Sequence, residues 1–354
     1  MAISTALVGR FPARKPRGWR SLWIEIVLFL VGSGLFVALV FRIGLAPIGE
    51  ALTSLGLSLG LIIGVEIFAI LANTLSWRCT IPPERRGDVP FGRLMAARIV
   101  GDAVNHVIPA GAGEIPKIRL LSRYLPVELA LASVAMAKLT EGIALGLFGL
   151  VGLVVAWPVL ATSSVSGVAI AVAVLVGLGL AAACLVGVRF KLLATVVRLY
   201  RRLGRVHRDC SPLEGAPSSV DAEIAPFQRG VTGSTVWHLV GWLVNVGELW
   251  FACHFLGLRP SFGVVFAGEA LGVLLDSVFF LVPMRIGVAE GGRVFVFTLL
   301  GLSAAVGLTL GLVRRIRELT WTVIGLAIYP WLAHVDGTAP GRGSDRDRRT
   351  PVAA

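Results

Sequence analysis

The sequence predicts an all-α integral membrane protein arranged as two inverted repeats. Each repeat holds two transmembrane helices, a broken re-entrant helical hairpin and a third transmembrane helix. Three observations lead there. Hydrophobic residues occupy 56% of the 354 positions and charged residues 15%, with a mean hydropathy of +0.82; that is more apolar surface than a soluble domain can bury. Two segments, "HVIPAGAG" and "FLVPMRIG", interrupt apolar runs with proline and glycine. The two interruptions echo one another at a nearly fixed distance along the chain.

An apolar helix of roughly 20 residues crosses the ~30 Å of hydrocarbon. Leu22 to Ile43 meets that length and follows a basic tail, 1–21, containing Arg10, Arg14, Lys15, Arg17 and Arg20. It is too long for a cleavable h-region, so it reads as the first transmembrane helix. The run Gly49 to Ser76 returns to a basic segment with Arg78, Arg85, Arg86, Arg93 and Arg98, which puts both ends of this helix pair in the cytoplasm. A hairpin over 99–124 and a run from Val127 to Trp157 complete the first repeat, 22–157.

After the uncharged turn "WPVLATSS", the second repeat, 165–331, opens with Val165 to Val188. In 189–208, Leu192, Val196, Leu199, Leu203 and Val206 recur at helical spacing among seven basic residues. That pattern predicts a helix lying in the cytoplasmic headgroup layer, and the Pro, Ser and Gly content up to residue 230 predicts a loop. The runs Val231 to Leu256, Phe262 to Val282, Val288 to Leu300 and Ser303 to Trp331 follow, with a second hairpin over 262–300. Residues 332–354 read as a disordered cytoplasmic tail. Both termini are therefore expected in the cytoplasm of a bacterial inner membrane.

The net charge of +12 is mostly the positive-inside pattern, and without aromatic and basic residues interleaved it does not point to nucleic acid. Cys79, Cys184, Cys210 and Cys253 are scattered, which suggests neither a metal site nor a disulfide framework. They read as packing residues. No catalytic residue, metal or cofactor is expected.

Only ten residues, Ile99 to Ile108, precede Pro109, enough for about half the hydrocarbon at 1.5 Å per residue. "PAGAG" then halts the helix, and a second short helix, Glu114 to Tyr124, leads out. Irregular backbone at that depth needs protein or a water-filled cavity around it. "DAVNHVIPAGAG" (102–113) aligns with "DSVFFLVPMRIG" (276–287) at an offset of 174. Glu114 with Lys117 then matches Glu290 with Arg293, and Lys138 with Glu141 matches Arg315 with Glu318. Three full crossings separate the two hairpins, so they enter from opposite sides. Facing broken helices in inverted repeats are the architecture expected of an alternating-access transporter.

An unpaired charge inside an apolar segment costs several kcal/mol, so the ionisable residues should face one another across a polar cavity. The expected substrate-binding set is Asp102, Asn105, Glu114, Lys117, Lys138, Glu141, Asp276, Arg285, Glu290, Arg293, Arg315 and Glu318. The expected hinge set is Pro109, Gly111, Gly113, Pro283, Gly287, Gly291 and Gly292. Lys and Arg suit phosphate, and carboxylates suit amines or protons. The competing readings are static bridges that lock the bundle, prolines that only kink helices, and a His106 that is simply hydrogen-bonded in the core. Glu66, Glu248 and Glu269 also lie within helices, with no partner that spacing alone identifies.

The stretches "NHVIPAGAGEIPKIRLL", "AGEALGVLLDSVFFLVPMRIGVAEGG" and "GLVRRIRELTWTVIG" resemble the flippase-like family named after the transmembrane half of lysylphosphatidylglycerol synthase, especially its stand-alone hopanoid-associated branch. The likeness spans about residues 20–331 and rests on Pro109, Gly113 and Glu114, on Pro283, Gly287, Glu290, Gly291 and Gly292, and on Arg314, Arg315 and Glu318. It implies movement of a lipid, anionic, zwitterionic or of hopanoid or isoprenoid type, between leaflets, with membrane lipids as partners. The chain departs from the pattern at Met284-Arg285, which adds a cation near the expected site. Nothing in it reads as a soluble aminoacyl-transferase domain, so lysyl transfer is not expected. Two alternatives are a membrane transferase acting on a polyprenyl-linked lipid and a scaffold recruiting lipid-biosynthesis enzymes through 189–230. The transferase lacks a DxD-like pair and a large outer loop.

Overall fold

Eight α-helices and one 3₁₀ turn, Pro83–Arg85, form the regular structure among the described residues of a computed structural model. Those residues are 53, 56–108, 111–161, 179, 230–279, 282, 285 and 287–338, with the side chains of 333–338 excepted. In chain order the helices are α1 (Ser58–Cys79), α2 (Phe91–Val107), α3 (Glu114–Leu121), α4 (Val127–Leu160), α5 (Val231–Phe255), α6 (Phe262–Val278), α7 (Val288–Leu299) and α8 (Ala304–Thr338). Helices α1, α4 and α5 are long and apolar enough to cross a membrane. The 35-residue α8 is longer still but carries Arg314, Arg315, Arg317 and Glu318 in its middle, which lowers its hydropathy.

Local chemistry sets the helix ends. Pro90 and Pro126 stand extended at the N-caps of α2 and α4, where a missing N–H loses no helical bond. Ser261 Oγ accepts from the Val264 N–H to cap α6. The exposed carbonyls after α1 are taken by Arg86, whose Nε donates to Ile81 O at 2.9 Å and whose Nη2 donates to Cys79 O at 2.8 Å.

Helices α1 to α4 and α5 to α8 run in the same order of lengths: 22, 17, 8 and 34 residues against 25, 17, 12 and 35. Helix α1 packs along α5, α2 along α8, and α6 along α4, so each long helix holds a hairpin helix from the other half. Trp77, Leu94, Val100, Leu121 and Val134 form one core. Ile62, Phe148, Val246, Phe297 and Leu310 form a second, and Leu153, Ala156, Ala267, Leu274 and Val296 a third. Small hydroxyls let α1, α4 and α5 approach closely: Ser234 Oγ lies 2.8 Å from Ser76 Oγ and 2.7 Å from Thr140 Oγ1, all three fully buried.

Several boundaries differ from those expected. Helix α2 begins at Phe91, eight residues before Ile99, because Pro90 starts it and Arg98 is buried inside it. Its 17 residues cover about 25 Å, most of the hydrocarbon rather than half. Helix α3 stops at Leu121 and α6 at Val278. Helix α4 continues through Pro158 to Leu160, in the last turn, and α8 runs to Thr338, into the stretch expected to be disordered. Helix α1 is shifted toward the C-terminus, ending at Cys79. The expected helices Leu22 to Ile43 and, apart from Gly179, Val165 to Val188, nearly all of segment 189–230, and Pro109, Pro283 and Met284 lie outside the described residues.

Interhelical hydrogen bonds in membranes average about 0.6 kcal/mol and reach about 1.7. Ser234→Ala removes two contacts and should lower stability by roughly that range, read as unfolding in mixed detergent micelles; an unchanged unfolding midpoint would show that the hydroxyl cluster does not hold these helices together.

Candidate functional site

The first polar cluster is built on a close crossing of α2 and α3. A Cβ on Gly113 would lie 1.8 Å from Gly101 O, so the backbones touch there only because residue 113 has no side chain. Asn105 fastens the break from both sides: its Oδ1 accepts from the Gly113 N–H at 2.7 Å, and its Nδ2 donates to Glu114 Oε1 at 2.9 Å. Gly111 supplies a positive φ in the same turn. This geometry carries Lys117 over Gly101, where its Nζ donates to Asp102 Oδ1 at 2.9 Å and lies 3.4 Å from Glu114. Arg98 Nε donates to the other Asp102 oxygen at 2.7 Å. From α4, Lys138 reaches Glu141 at 2.9 Å and Glu114 at 3.4 Å. Three cations, Arg98, Lys117 and Lys138, and two of the three carboxylates, Glu114 and Glu141, line a cavity of about 10 Å³ beside Trp77.

The second cluster repeats the same pairings. Arg293 of α7 lies 3.5 Å from Asp276 of α6, as Lys117 faces Asp102. Arg315 of α8 lies 2.7 Å from Glu290 of α7, as Lys138 faces Glu114. Arg315 also lies 3.5 Å from Glu318, as Lys138 faces Glu141. Glu290 Oε2 accepts from the N–H of Gly287 at 2.7 Å. Gly287 has φ +76° at the N-cap of α7, a region that L side chains rarely adopt. Arg285 takes φ +50°, and its carbonyl accepts from Arg315 Nη2 at 3.2 Å. Gly291 donates to Gly287 O at the start of α7, and Gly292 packs under Leu275.

The clusters differ in accessibility. Asp102 and Lys138 have 42% and 43% of their side-chain surface exposed, whereas Asp276 and Arg315 have 10% and 11%. The first array is thus open at Asp102 and Lys138, while Lys117 beneath them is as buried as Arg293, at 3% against 4%.

The structure brings all twelve expected binding residues into these two clusters or their rims, and it adds residues that sequence reasoning placed elsewhere. Arg98, read as part of a cytoplasmic basic segment, is buried and holds Asp102. His106 Nε2 lies 3.0 Å from Glu318 Oε2, joining α2 to α8. Glu269 bonds Arg314, which also reaches Glu318 at 3.2 Å. Arg317 bonds both Glu248 and Glu66. The available signal was the density of charge in "VRRIRE" within an apolar helix. His238, fully buried, lies 2.8 Å from Asn73 Oδ1 and 3.3 Å from Ala137 O.

Gly113→Ala should cost about 1–3 kcal/mol, as overpacking does. Gly87→Ala, with nothing within 4 Å, should change stability by about 0.5 kcal/mol or less. Thermal unfolding in detergent separates them; equal midpoints would mean that the α2–α3 crossing is not tight.

A comparison with curated proteins finds no significant match. The family described as Lysylphosphatidylglycerol synthase TM region matches residues 23–327. With three helices apolar and long enough to span a bilayer and a match over most of its length, the chain is a membrane protein that belongs to the family of the lysylphosphatidylglycerol synthase transmembrane region.

Proposed function

We propose that the chain moves a lipid between bilayer leaflets by alternating access, its two halves acting as inverted repeats. The observation that carries the reading is the recurrence of three acid–base pairings in the two clusters, one accessible and one sealed. Charges arranged only to lock a bundle have no need to differ in exposure. In the open cluster, Lys138 and Lys117 are suited to a headgroup phosphate, and Asp102, Glu114 and Glu141 to an amine. The lipid tails stay in the bilayer while the headgroup crosses between the hairpins, and the glycine turns at 111–113 and 287 supply the hinges. In the sealed cluster Arg293, Arg315 and Arg285 await the same headgroup with Asp276, Glu290 and Glu318.

Membership in a family tied by its name to lipid synthesis supports a lipid as cargo. Among lipid classes, the "VPMRIGVAEGG" resemblance favours a hopanoid or isoprenoid type. The arginine-rich segments favour insertion in a bacterial inner membrane with both termini in the cytoplasm. No covalent chemistry is required of the chain. In a deletion strain the lipid should therefore be synthesised normally yet accumulate in the wrong leaflet; loss of the lipid product itself would instead indicate a transferase.

In proteoliposomes, the native chain should speed the inward movement of fluorescently labelled phosphatidylglycerol. Lys117→Gln and Arg293→Gln should each slow it at least about tenfold, a loss of ~1.4 kcal/mol of interaction, with expression intact. Unchanged rates would remove those roles. Exchanging the pair, Asp276→Arg with Arg293→Asp, should keep the folded yield yet leave transport slow; a native transport rate would reduce the pair to a static brace.

A further inference from the structure

Two glutamates compete for one cation in the core of the bundle. Glu66 of α1 and Glu248 of α5 both contact Nη1 of Arg317 on α8, Glu66 at 2.8 Å. Arg317 and Glu248 are almost fully buried. The other charged groups around them are already committed. On α8, Arg314 holds Glu269 and Glu318, and Arg315 holds Glu290 and Glu318. On α7, Arg293 holds Asp276 and, at 4.0 Å, Glu269 of α6. On α2, Asp102 is taken by Arg98 and Lys117, and His106 turns to Glu318. Among the described residues, Arg317 is thus the sole ion-pair partner of both glutamates.

Hydrogen bonding is incomplete at the same place. Glu66 Oε2 accepts no hydrogen bond despite its ion-pair distance, and Arg317 Nε, Arg293 Nη2 and Asn245 Oδ1 are buried without hydrogen-bond partners. Asn245, Glu248, Glu269, Arg293, Arg314 and Arg317 line a cavity of about 20 Å³, room for about one water. The corresponding position in the other half is filled differently. Laying α5 on α1 so that Asn245 falls on Asn73, Glu248 corresponds to Ser76 and Glu66 to His238; counting from Lys138 and Arg315, Arg317 corresponds to Thr140. Ser76 and Thr140 meet there through Ser234 as an uncharged hydroxyl cluster. The counterparts of Arg317 and Glu248 are thus uncharged hydroxyls, and His238 turns to Asn73 and the Ala137 carbonyl rather than to a carboxylate, so two glutamates on one arginine call for another explanation.

We propose that Glu66 and Glu248 form a proton-binding site that couples transport to a proton gradient. A second carboxylate without its own cation is costly in so apolar a setting. One proton neutralises it and turns an acceptor-only group into a donor. The proton arrives on water, either in the cavity that Glu248 lines or at Glu66, whose side chain is 21% exposed, adds to a lone pair of a carboxylate oxygen and departs by the same route, with no other bond made or broken. Its presence changes by one charge the hold of α1 and α5 on α8, the helix that also carries Arg315 and Glu318 of the sealed cluster. The coupling rests on the lipid-transport reading; the proton site itself does not.

Infrared difference spectroscopy on the full chain in lipid nanodiscs, in H₂O and D₂O, tests the site directly. The native chain should show the carbonyl stretch of a protonated carboxylic acid that vanishes on alkalinisation, and Glu66→Gln or Glu248→Gln should remove it. Glu269→Gln should leave it, since Glu269 has Arg314. A native chain without such a band, or a band that survives undiminished in both Glu66→Gln and Glu248→Gln, overturns the site. Size-exclusion profiles confirm that each variant is folded. In proteoliposomes, a pH gradient should accelerate native movement of labelled phosphatidylglycerol severalfold and leave either variant unaccelerated. A native rate indifferent to the gradient, or variants that still respond, overturns the coupling. A native chain that moves neither labelled phosphatidylglycerol nor a labelled isoprenoid lipid would sink the transport reading and the coupling with it, while the infrared band would still decide the site.

Discussion

Inside hydrocarbon an ionised side chain has to find its opposite, and that requirement fixes how the helices of this chain meet. Acid–base pairs hold each hairpin together, Asp102 with Lys117 and Asp276 with Arg293, and tie it to a long helix, Glu114 with Lys138, Glu290 with Arg315 and His106 with Glu318. Helices α4 and α6 meet instead through Gly149 and Gly152 against Leu274 and Ala270. Apolar packing alone would discriminate poorly here, because lipid tails are as good a solvent for leucine as another helix is. Removing one partner leaves a buried charge exposed to that solvent, so the pairs specify register as well as contact. The hairpin turns follow the same logic. They place irregular backbone where Asn105 and Glu290 can take up its N–H groups.

Much of this arrangement is legible in the residues themselves. Charge inside apolar runs, a proline with flanking glycines, and an acid three positions before a base all act over one helical turn, and that short range is why the twelve clustered residues are legible in the sequence. The i,i+3 spacing of Lys138 and Glu141, and of Arg315 and Glu318, reappears as direct ion pairs. What spacing could not supply was partners distant in sequence. Glu66 and Glu248 meet Arg317 across 251 and 69 positions, and only the packing of α1 and α5 against α8 brings them together. Arg98 lies deeper than its sequence neighbours suggest for a related reason. A basic residue near a helix end reads as a membrane-surface anchor unless the helix begins before it, and the start at Pro90 was hidden by Arg93 and Arg98 themselves.

The two clusters share pairings but not residue types, and the difference has a physical consequence. The open one relies on Lys117 and Lys138, and the closed one on Arg293 and Arg315. A lysine ammonium is a compact charge on a flexible stem, able to swing between a carboxylate and an incoming phosphate; an arginine presents a planar fork that prefers to keep two partners at once. Arg315 does so, bridging Glu290, Glu318 and the carbonyl of Arg285. A sealed array needs that multiplicity to satisfy its buried carboxylates without water. An accessible array benefits from cations that exchange partners easily. On the lipid-transport reading, the sealed half is thus the harder one to open, and any driving force has most effect where it loosens α8. Arg317 lies two residues beyond Arg315 on that helix, which makes a charge change at Glu66 and Glu248 mechanically close to the arginines it has to release.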